Sequence, residues 1–312
     1  MKLNFDYNDD THMSLSIKRI LSQIDLQVST GTADIYVKQA DQISDEDLNS
    51  GKLFIAIEKR DGANISKRKV LQHTSVLKYV KQYKYKYPEF NNAACVGGRG
   101  FTRYLCNESL WESQKTLITP NQDKKIILGW NFLHYPRLAP FYDIRQFDSK
   151  SRPIDVFFAG RIEYINGDKK SGALISEHRL RCIEKLLHIK NLKIVNIQGR
   201  QLNAQKYMEY MRNSKIAISP WGWGEACYRD YEAILSGCLL IKPNTDFVMS
   251  SCNIFEQKER IWTMPDFSDL SAKIIFSIDA FNSSFENRLE QRGRLLVEKN
   301  SLPQILNRIF KF

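Results

Sequence analysis

The sequence predicts an α/β protein of two domains, the second of them carrying half of a doubly wound parallel sheet. The chain has 312 residues, which suits two domains at roughly 150 residues each. Its composition, 43% hydrophobic and 26% charged, is that of an ordinary globular protein and excludes wholesale disorder. The second half alternates short apolar runs with amphipathic stretches of about ten residues, the signature of βαβ units with right-handed crossovers.

In the first half, Ser14–Ile24 has helical spacing, and Ala33–Val37, Leu53–Ile57 and Lys125–Trp130 read as strands. Ser75–Tyr87 fits an edge hairpin as well as a strand of a second α/β domain. The boundary is expected in Asp143–Pro153, where polar and charged residues precede a proline. Beyond it, Ile154–Gly160 is a strand, Ser176–His188 a helix with Leu180, Ile183, Leu186 and Leu187 at helical spacing, and Leu192–Gly199 a strand. Ala204–Asn213 is a helix, Lys215–Pro220 a strand, Ala226–Ser236 a helix and Cys238–Pro243 a fourth strand. The chain closes on Leu302–Phe312, an amphipathic helix with Pro303 in its first turn and Leu302, Ile305, Leu306, Ile309 and Phe310 on one face. That face suits packing on the body of the protein, with a membrane surface as the alternative.

The net charge is +11, from 46 Lys+Arg against 35 Asp+Glu, which favours an anionic partner: nucleotide phosphates, nucleic acid or an acidic membrane surface. The opening MKLNFDYNDDTHMS is acidic where a secretory signal needs an apolar core, and no run of about 18 apolar residues occurs to span a bilayer. Cys95, Cys106, Cys182, Cys227, Cys238 and Cys252 contain no C-x-x-C pair and read as free thiols of a reducing, cytoplasmic compartment.

Ligands of open parallel sheets bind beyond the carboxyl ends of the strands. The residues leaving the four strands there are Arg161, then Gly199 and Arg200, then Trp221-Gly222-Trp223-Gly224-Glu225, then Asn244 to Asp246. Gly222 and Gly224 allow close backbone approach, and a helix beginning near Glu225 would aim its positive dipole end at a diphosphate. Arg229 in its first turn could clamp phosphate bidentately, and Glu232, one turn on, could accept from a ribose diol. The plainer alternatives are a surface ion pair between Arg229 and Glu232, a helix-start carboxylate for Glu225, and packing roles for Trp221 and Trp223.

The segment SKIAISPWGWGEACYRDYEAILSGCLLIKP, from Ser214 to Pro243, resembles the donor-site segment of exostosin-like and related GT-B glycosyltransferases. In those a strand, a glycine-bearing loop, an Arg, a nearby Glu and a small-Gly-Cys turn recur in order; VFFAGRI and IQGR upstream sit where that family's donor domain has strand ends. The resemblance covers roughly Pro153–Phe247. It implies two Rossmann-like domains in a GT-B-like arrangement: residues 1–150 binding the acceptor, 151–300 binding a nucleotide-sugar, and a terminal helix, 301–312, crossing back to the first domain. It implies no cofactor, the nucleotide-sugar (a UDP-sugar foremost) being a co-substrate, and a glycan or polysaccharide acceptor handled at the cytosolic face of a membrane, where positive charge helps peripheral contact. Arg161, Arg200, Gly222, Trp223, Gly224, Glu225, Arg229, Glu232 and Lys242 would then line the donor nucleotide. Arg161 and Arg229 would neutralise the leaving diphosphate, and Lys242 would assist a phosphate or a sugar hydroxyl.

Glu225 and Glu232 are seven apart, one short of the E-x7-E spacing of many retaining GT-B enzymes. An inverting transfer would need a base on the acceptor side; Asp61, in Glu58-Lys59-Arg60-Asp61-Gly62 after the strand Leu53–Ile57, is the candidate, against an ordinary Asp-Gly turn. His134 and His178 are weaker candidates. No metal is expected: Asp45-Glu46-Asp47 has the letters of an Asp-x-Asp site but no strand before it and reads as a helix start, and His/Cys ligand spacing is missing. The stretch Arg60 to Lys86 interleaves Lys67, Arg68, Lys69, Lys78, Lys81, Lys84 and Lys86 with Tyr79, Tyr83, Tyr85 and Tyr87. It reads as a lysine-blunted edge strand, with an acidic glycan or anionic lipid next and nucleic acid last. The rival functions are a non-catalytic nucleotide or nucleic-acid binder using this stretch, and a phosphate-ligand enzyme such as an epimerase.

Overall fold

Two parallel sheets, one from each half of the chain, form the core of the computed structural model, which describes residues 2–6, 31–60, 62–92, 117–129, 131–142, 152–162, 169–199, 202–251 and 261–311. The expected helix Ser14–Ile24 and most of the expected boundary, residues 143–151, lie outside the described residues, as do Cys95, Cys106 and Cys252.

The first half supplies β1 (Leu3–Asp6), β2 (Ile35–Gln39), α1 (Asp45–Asn49), β3 (Leu53–Ile57), α2 (Arg68–Gln72), β4 (Val76–Lys81), β5 (Tyr83–Tyr85), α3 (Pro120–Asp123), β6 (Ile126–Leu128) and α4 (Ala139–Tyr142). Its sheet runs β1-β2-β3-β4-β6, every described pair parallel. α1 begins as the Asp45-Glu46-Asp47 run suggests: Ser44 Oγ accepts from the Asp47 N–H while Asp47 Oδ2 accepts from the Ser44 N–H, a reciprocal cap.

The second half supplies β7 (Ile154–Gly160), α5 (Lys169–Leu187), β8 (Ile194–Gln198), α6 (Ala204–Arg212), β9 (Ser214–Ile218), α7 (Tyr228–Leu235), β10 (Leu239–Pro243), β11 (Val248–Ser250), β12 (Ile261–Thr263), α8 (Leu270–Ala280), α9 (Phe285–Asn300) and α10 (Leu302–Phe310). The sheet order β12-β10-β9-β7-β8 is doubly wound. The chain leaves β7 toward β8 and then returns to pair β9 on its other side, so the order reverses between β7 and β9. β10 is buried throughout, as an inner strand of a covered parallel sheet should be, while β8 at the edge is half-buried. α6 starts on Asn203, whose Oδ1 accepts from the Lys206 N–H. α7 ends on Ser236-Gly237-Cys238: Gly237 is left-handed (φ 76°), and the Cys238 N–H reaches back to the Ala233 carbonyl, a Schellman turn that needs glycine.

Three expectations are corrected. Ser75–Tyr87 is not a hairpin: β4 lies inside the first sheet between β3 and β6, and β5 pairs antiparallel with β11 of the other half. Tyr83 and Tyr85 do share one side, but it is buried between the halves rather than at an edge. On α5 the buried stripe is Ile175, His178, Arg179, Cys182, Ile183 and Leu186, so Leu180 and Leu187 point out, Leu187 with 72% of its surface exposed. The basic stretch is no open cationic face. Lys81 is buried against Glu58, Lys84 pairs with Asp123 and Lys69 with Asp45, while Lys78 Nζ donates to the carbonyls of Arg308, Ile309 and Lys311.

Those last carbonyls belong to the end of α10. The helix crosses back from the second half and buries Leu302, Ile305, Leu306, Ile309 and Phe310 against Leu3, Ile35, Val37, Ile55, Ile57 and Val80 of the first sheet. At about 1.5–3 kcal/mol for each large apolar side chain removed from water, this face is committed to the core and is closed to a membrane. Among the described residues no helix is long and apolar enough to cross a membrane.

Candidate functional site

The reversal between β7 and β9 places the crevice of the second sheet at Gly160-Arg161 and at the loop after Ile218. Gly160 leaves room here for two arginine side chains. A Cβ would stand 2.8 Å from Arg229 Nη2 and 3.7 Å from Arg179 Nη1, so two guanidinium groups converge on the end of β7. Arg229 Nη2 donates to the Ala159 carbonyl and Arg179 Nη1 to the Arg161 carbonyl. Arg229 Nε and Nη1 are enclosed with no hydrogen-bond partner, a costly state for a guanidinium unless an anion completes it. Next to Gly160, Gly199 takes a left-handed conformation (φ 82°) and its N–H closes onto the Gly160 carbonyl, capping β8 against β7.

The first turn of α7 faces the same crevice. Cys227 precedes the helix, and its N–H donates to Asp230 Oδ2. At the far end three arginines collect the terminal carbonyls: Arg292 Nε binds Leu235, Arg152 Nη2 binds Ser236 and Arg288 Nη1 binds Gly237. Cations at the C-terminus satisfy the negative pole of the helix and leave its positive pole directed at the crevice. Crowding by burial, with Arg152 alongside, lowers the Arg288 pKa to about 10.

Glu232 is buried one turn into α7. Tyr207 donates to its Oε2 at 2.6 Å, and Arg137 Nε of the first half lies 3.5 Å from its Oε1. Burial and then the Glu232 carboxylate hold the Tyr207 phenol well above its ordinary range, so it is a fixed donor. Arg229 and Glu232 do not form the ion pair that their spacing allows, because Arg229 turns to β7 and Glu232 to Tyr207. Lys242 has a different place from the one expected. Its ammonium binds Asp230 Oδ2 at 2.9 Å, both side chains are wholly buried, and Asp230 Oδ1 accepts from Ser219 Oγ. Lys242 therefore anchors α7 to the sheet and does not reach into the crevice.

The WGWGE loop spans the two halves. Trp221 is buried and stacks near His178, 5.2 Å between ring centroids. A Cβ on Gly222 would touch Arg179 Nη2 at 3.4 Å, and the Gly222 N–H donates to the Gly224 carbonyl, which puts Trp223 at the apex. Glu225 lies ahead of the helix rather than on it; its carboxylate accepts from the Ala63 N–H at 2.9 Å and from the Tyr85 hydroxyl at 3.1 Å. With the hydrogen bond between the Tyr83 and Tyr231 hydroxyls and the Phe132–Tyr228 contact at 4.2 Å, it ties the halves around α7.

Across the crevice the rim of the first sheet holds Glu58. Burial opposes its charge, but the Lys81 ammonium at 3.1 Å, with Ser66 and the Tyr79 hydroxyl, keeps its carboxyl below the ordinary value. Asp61 lies outside the described residues; its neighbour Gly62 packs within 3.8 Å of the Trp223 carbonyl, measured from where a Cβ would be. Arg200 also lies outside the described residues. His134 and His178 are structural: burial lowers their pKa values to about 4 and about 3, and their ring nitrogens engage the backbone of Asn131, Glu298 and Pro265. Asp45 and Asp47 pair with Lys69 and Lys38, and no cluster of three metal-ligating side chains occurs among the described residues. Cys182, Cys227 and Cys238 are free thiols; burial pushes all three up, so they stay protonated.

Arg179 is the site residue that the sequence reading passed over. It lies on α5 with 6% of its surface exposed, and its signal was its place in the stripe Ile175, Cys182, Ile183 and Leu186. A charged residue inside a buried stripe demands a reason.

Two Rossmann-like halves, the second with a cationic crevice at its switch point, and a terminal helix returned to the first, make a GT-B-like architecture. No protein-family model and no curated protein matches the chain. Among solved structures it is similar to TarM, with 11% identity over 96% of this chain and 58% of that one at a TM-score of 0.46. OtsA in its apo form shares 8% identity over 96% of this chain and 76% of its own, at a TM-score of 0.48. The T4 phage BGT, in complex with its UDP-glucose substrate, shares 12% identity over 100% of both chains at a TM-score of 0.37. The chain thus spans a little over half the length of TarM. Identities this low leave the function to be read from the site itself.

Proposed function

We propose that the protein is a glycosyltransferase that moves a sugar from a nucleotide-sugar to a hydroxyl of a glycan acceptor. The observation that carries this reading is the convergence of Arg179 and Arg229 on Gly160 at the switch point, beside the positive end of α7. Two guanidinium groups and a helix N-terminus are suited to the charge that develops on a departing nucleoside diphosphate. Arg161 stands at the end of β7, Arg200 is assigned to the same donor side from its place in the sequence, and Gly222, Trp223 and Gly224 would supply a loop that approaches the donor closely. Glu232, held by Tyr207, would take the ribose diol.

The chemistry follows from those places. The acceptor oxygen attacks the anomeric carbon as the bond from that carbon to the phosphate oxygen breaks, and the electron pair leaves with the diphosphate. In an inverting transfer the acceptor proton passes to a carboxylate on the first half, for which we assign Asp61. Glu58 is already committed to Lys81, whereas Gly62, next to Asp61 in the chain, lies near the Trp223 carbonyl. Arginines and the helix end take the part a divalent cation plays elsewhere, which supports metal-independent transfer. A UDP-sugar donor, residues 1–150 as the acceptor side, a cytoplasmic setting and peripheral contact with an anionic membrane belong to the same proposal; the net charge of +11 supports the last.

The test is thermal unfolding with UDP, GDP, CMP, dTDP and ADP in the presence of EDTA, on the wild type and Arg229→Ala. A ligand at a hundred times its dissociation constant adds about 2.7 kcal/mol. A rise in Tm with one nucleotide, lost in Arg229→Ala, supports the reading. No rise with any of them overturns it.

A further inference from the structure

We infer that Arg137, contributed by the first half, binds the nucleoside end of the donor, so that the nucleotide is held by both halves and not by residues 151–300 alone. This rests on the proposed transfer and adds a residue to its donor site. Arg137 lies in the short turn Pro136–Leu138, and its neighbours fix its place. Leu138 is wholly buried in one cluster with Phe132, Phe141, Tyr231 and Ile234, and its N–H closes onto the Tyr135 carbonyl. The backbone at residue 137 is therefore set against α7, although the side chain stays 64% exposed. Two contacts with α7 orient that side chain. The guanidinium lies over the Tyr228 ring, 4.7 Å from its centroid, and Nε stands 3.5 Å from Glu232 Oε1.

The two oxygens of Glu232 are used unequally. Oε2 accepts from the Tyr207 hydroxyl at 2.6 Å, whereas 3.5 Å to Arg137 is a Coulombic contact, longer than an N–H···O hydrogen bond. Oε1 is the oxygen with capacity left to accept, and a group that reaches it arrives beside a guanidinium. A hydroxyl is donor and acceptor at once. It would donate to Oε1 and accept from Arg137, with both hydrogen bonds assisted by charge. A ribose hydroxyl meets that demand. A phosphate oxygen does not, because it would set a second anion against Glu232, and the diphosphate has its own cations in Arg229 and Arg179 at Gly160. Arg137 is left to the other end of the nucleotide.

Calorimetry with UDP, GDP, CMP, dTDP and ADP is run on the wild type, Arg137→Ala, Arg137→Lys, Glu232→Gln and the double variant Arg137→Ala/Glu232→Gln, with Tm measured without ligand. The wild type is expected to bind at least one of these nucleotides, and Arg137→Ala to weaken it about tenfold or more. Arg137→Lys should stay closer to the alanine variant, since an ammonium keeps the charge and loses the planar fork. Glu232→Gln should also weaken the nucleotide. The double variant should then fall within about threefold of the weaker single one, because both side chains act on one hydroxyl. Tm without ligand should be the same in the wild type and Arg137→Ala, as suits an exposed ion pair. The inference is overturned, and the transferase reading stands, if Arg137→Ala binds nucleotide as well as the wild type or more tightly. It is overturned equally if Arg137→Lys restores full affinity, if Glu232→Gln has no effect, if the two losses add in full, or if Arg137→Ala lowers Tm by several degrees along with the affinity. A wild type that binds none of the nucleotides overturns the transferase reading, and this inference with it.

Discussion

Lys242 and Asp230 form an ion pair of 2.9 Å with neither side chain exposed, and through it β10 holds the first turn of α7. Asp230 has further duties, accepting from Ser219 Oγ and the Cys227 N–H. A charge cluster this deep stands only while every member is paired. Lys242→Met should therefore cost about 3–5 kcal/mol, measured as the free energy of urea unfolding. Adding Asp230→Asn, whose amide oxygen can accept from the Cys227 N–H while its NH2 donates to Ser219 Oγ, should recover much of the loss.

Arg229 and Arg179 should answer to geometry as well as charge. Arg229→Lys keeps the charge but loses the planar fork, so it should resemble Arg229→Ala more than the wild type. Each alanine variant should weaken nucleoside diphosphate binding about 10–100-fold, from 1.5–3 kcal/mol per charged hydrogen bond. Calorimetric titration with the nucleotide that raises Tm gives the comparison.

The terminal helix is expected to be a structural member of the first half. Leu306→Ala should cost about 2–5 kcal/mol, and Lys78→Met, which strips the last carbonyls of α10 of their shared donor, about 1–2 kcal/mol. In both variants amide exchange at residues 302–310 should accelerate, while that at β7 and β9 should not.

Stability should fall in mild acid through the buried histidines. With folded pKa values near 4 for His134 and near 3 for His178, the unfolded chain takes up protons below about pH 6.5 that the native protein refuses. Their contribution is complete above that pH and is lost as the pH falls toward the folded values. Glu58, held below its ordinary value, adds a further loss that begins as the pH falls through the ordinary carboxylate range and is complete below its folded value. Urea midpoints between pH 7 and pH 4 should decline, and His134→Gln should flatten the slope.

Much of the second half was legible because its signals are local. β7 and β10 stand where their apolar runs placed them, and the rim residues Arg161 and Trp221–Glu225 follow from strand ends alone. Ser75–Tyr87 was not legible, since its alternation specifies a strand but not a partner, and β5 found its partner in β11 of the other half. Arg179 was missed for the reverse reason: its helix was recognised, but which face turns inward depends on α8 and the sheet that cover it.

The alternation of strands and helices, the glycines at Gly160, Gly222 and Gly237, and the charge available to an anionic ligand are properties of neighbouring residues and can be read along the chain. Which charges are left for a ligand depends instead on how the folded chain pairs them. Lys242, Lys81 and Lys78 are spent on Asp230, Glu58 and the end of α10, whereas Arg229 keeps two buried donors without partners. Pairing depends on distances between residues far apart in the chain, and those distances exist only once the two halves have closed on each other.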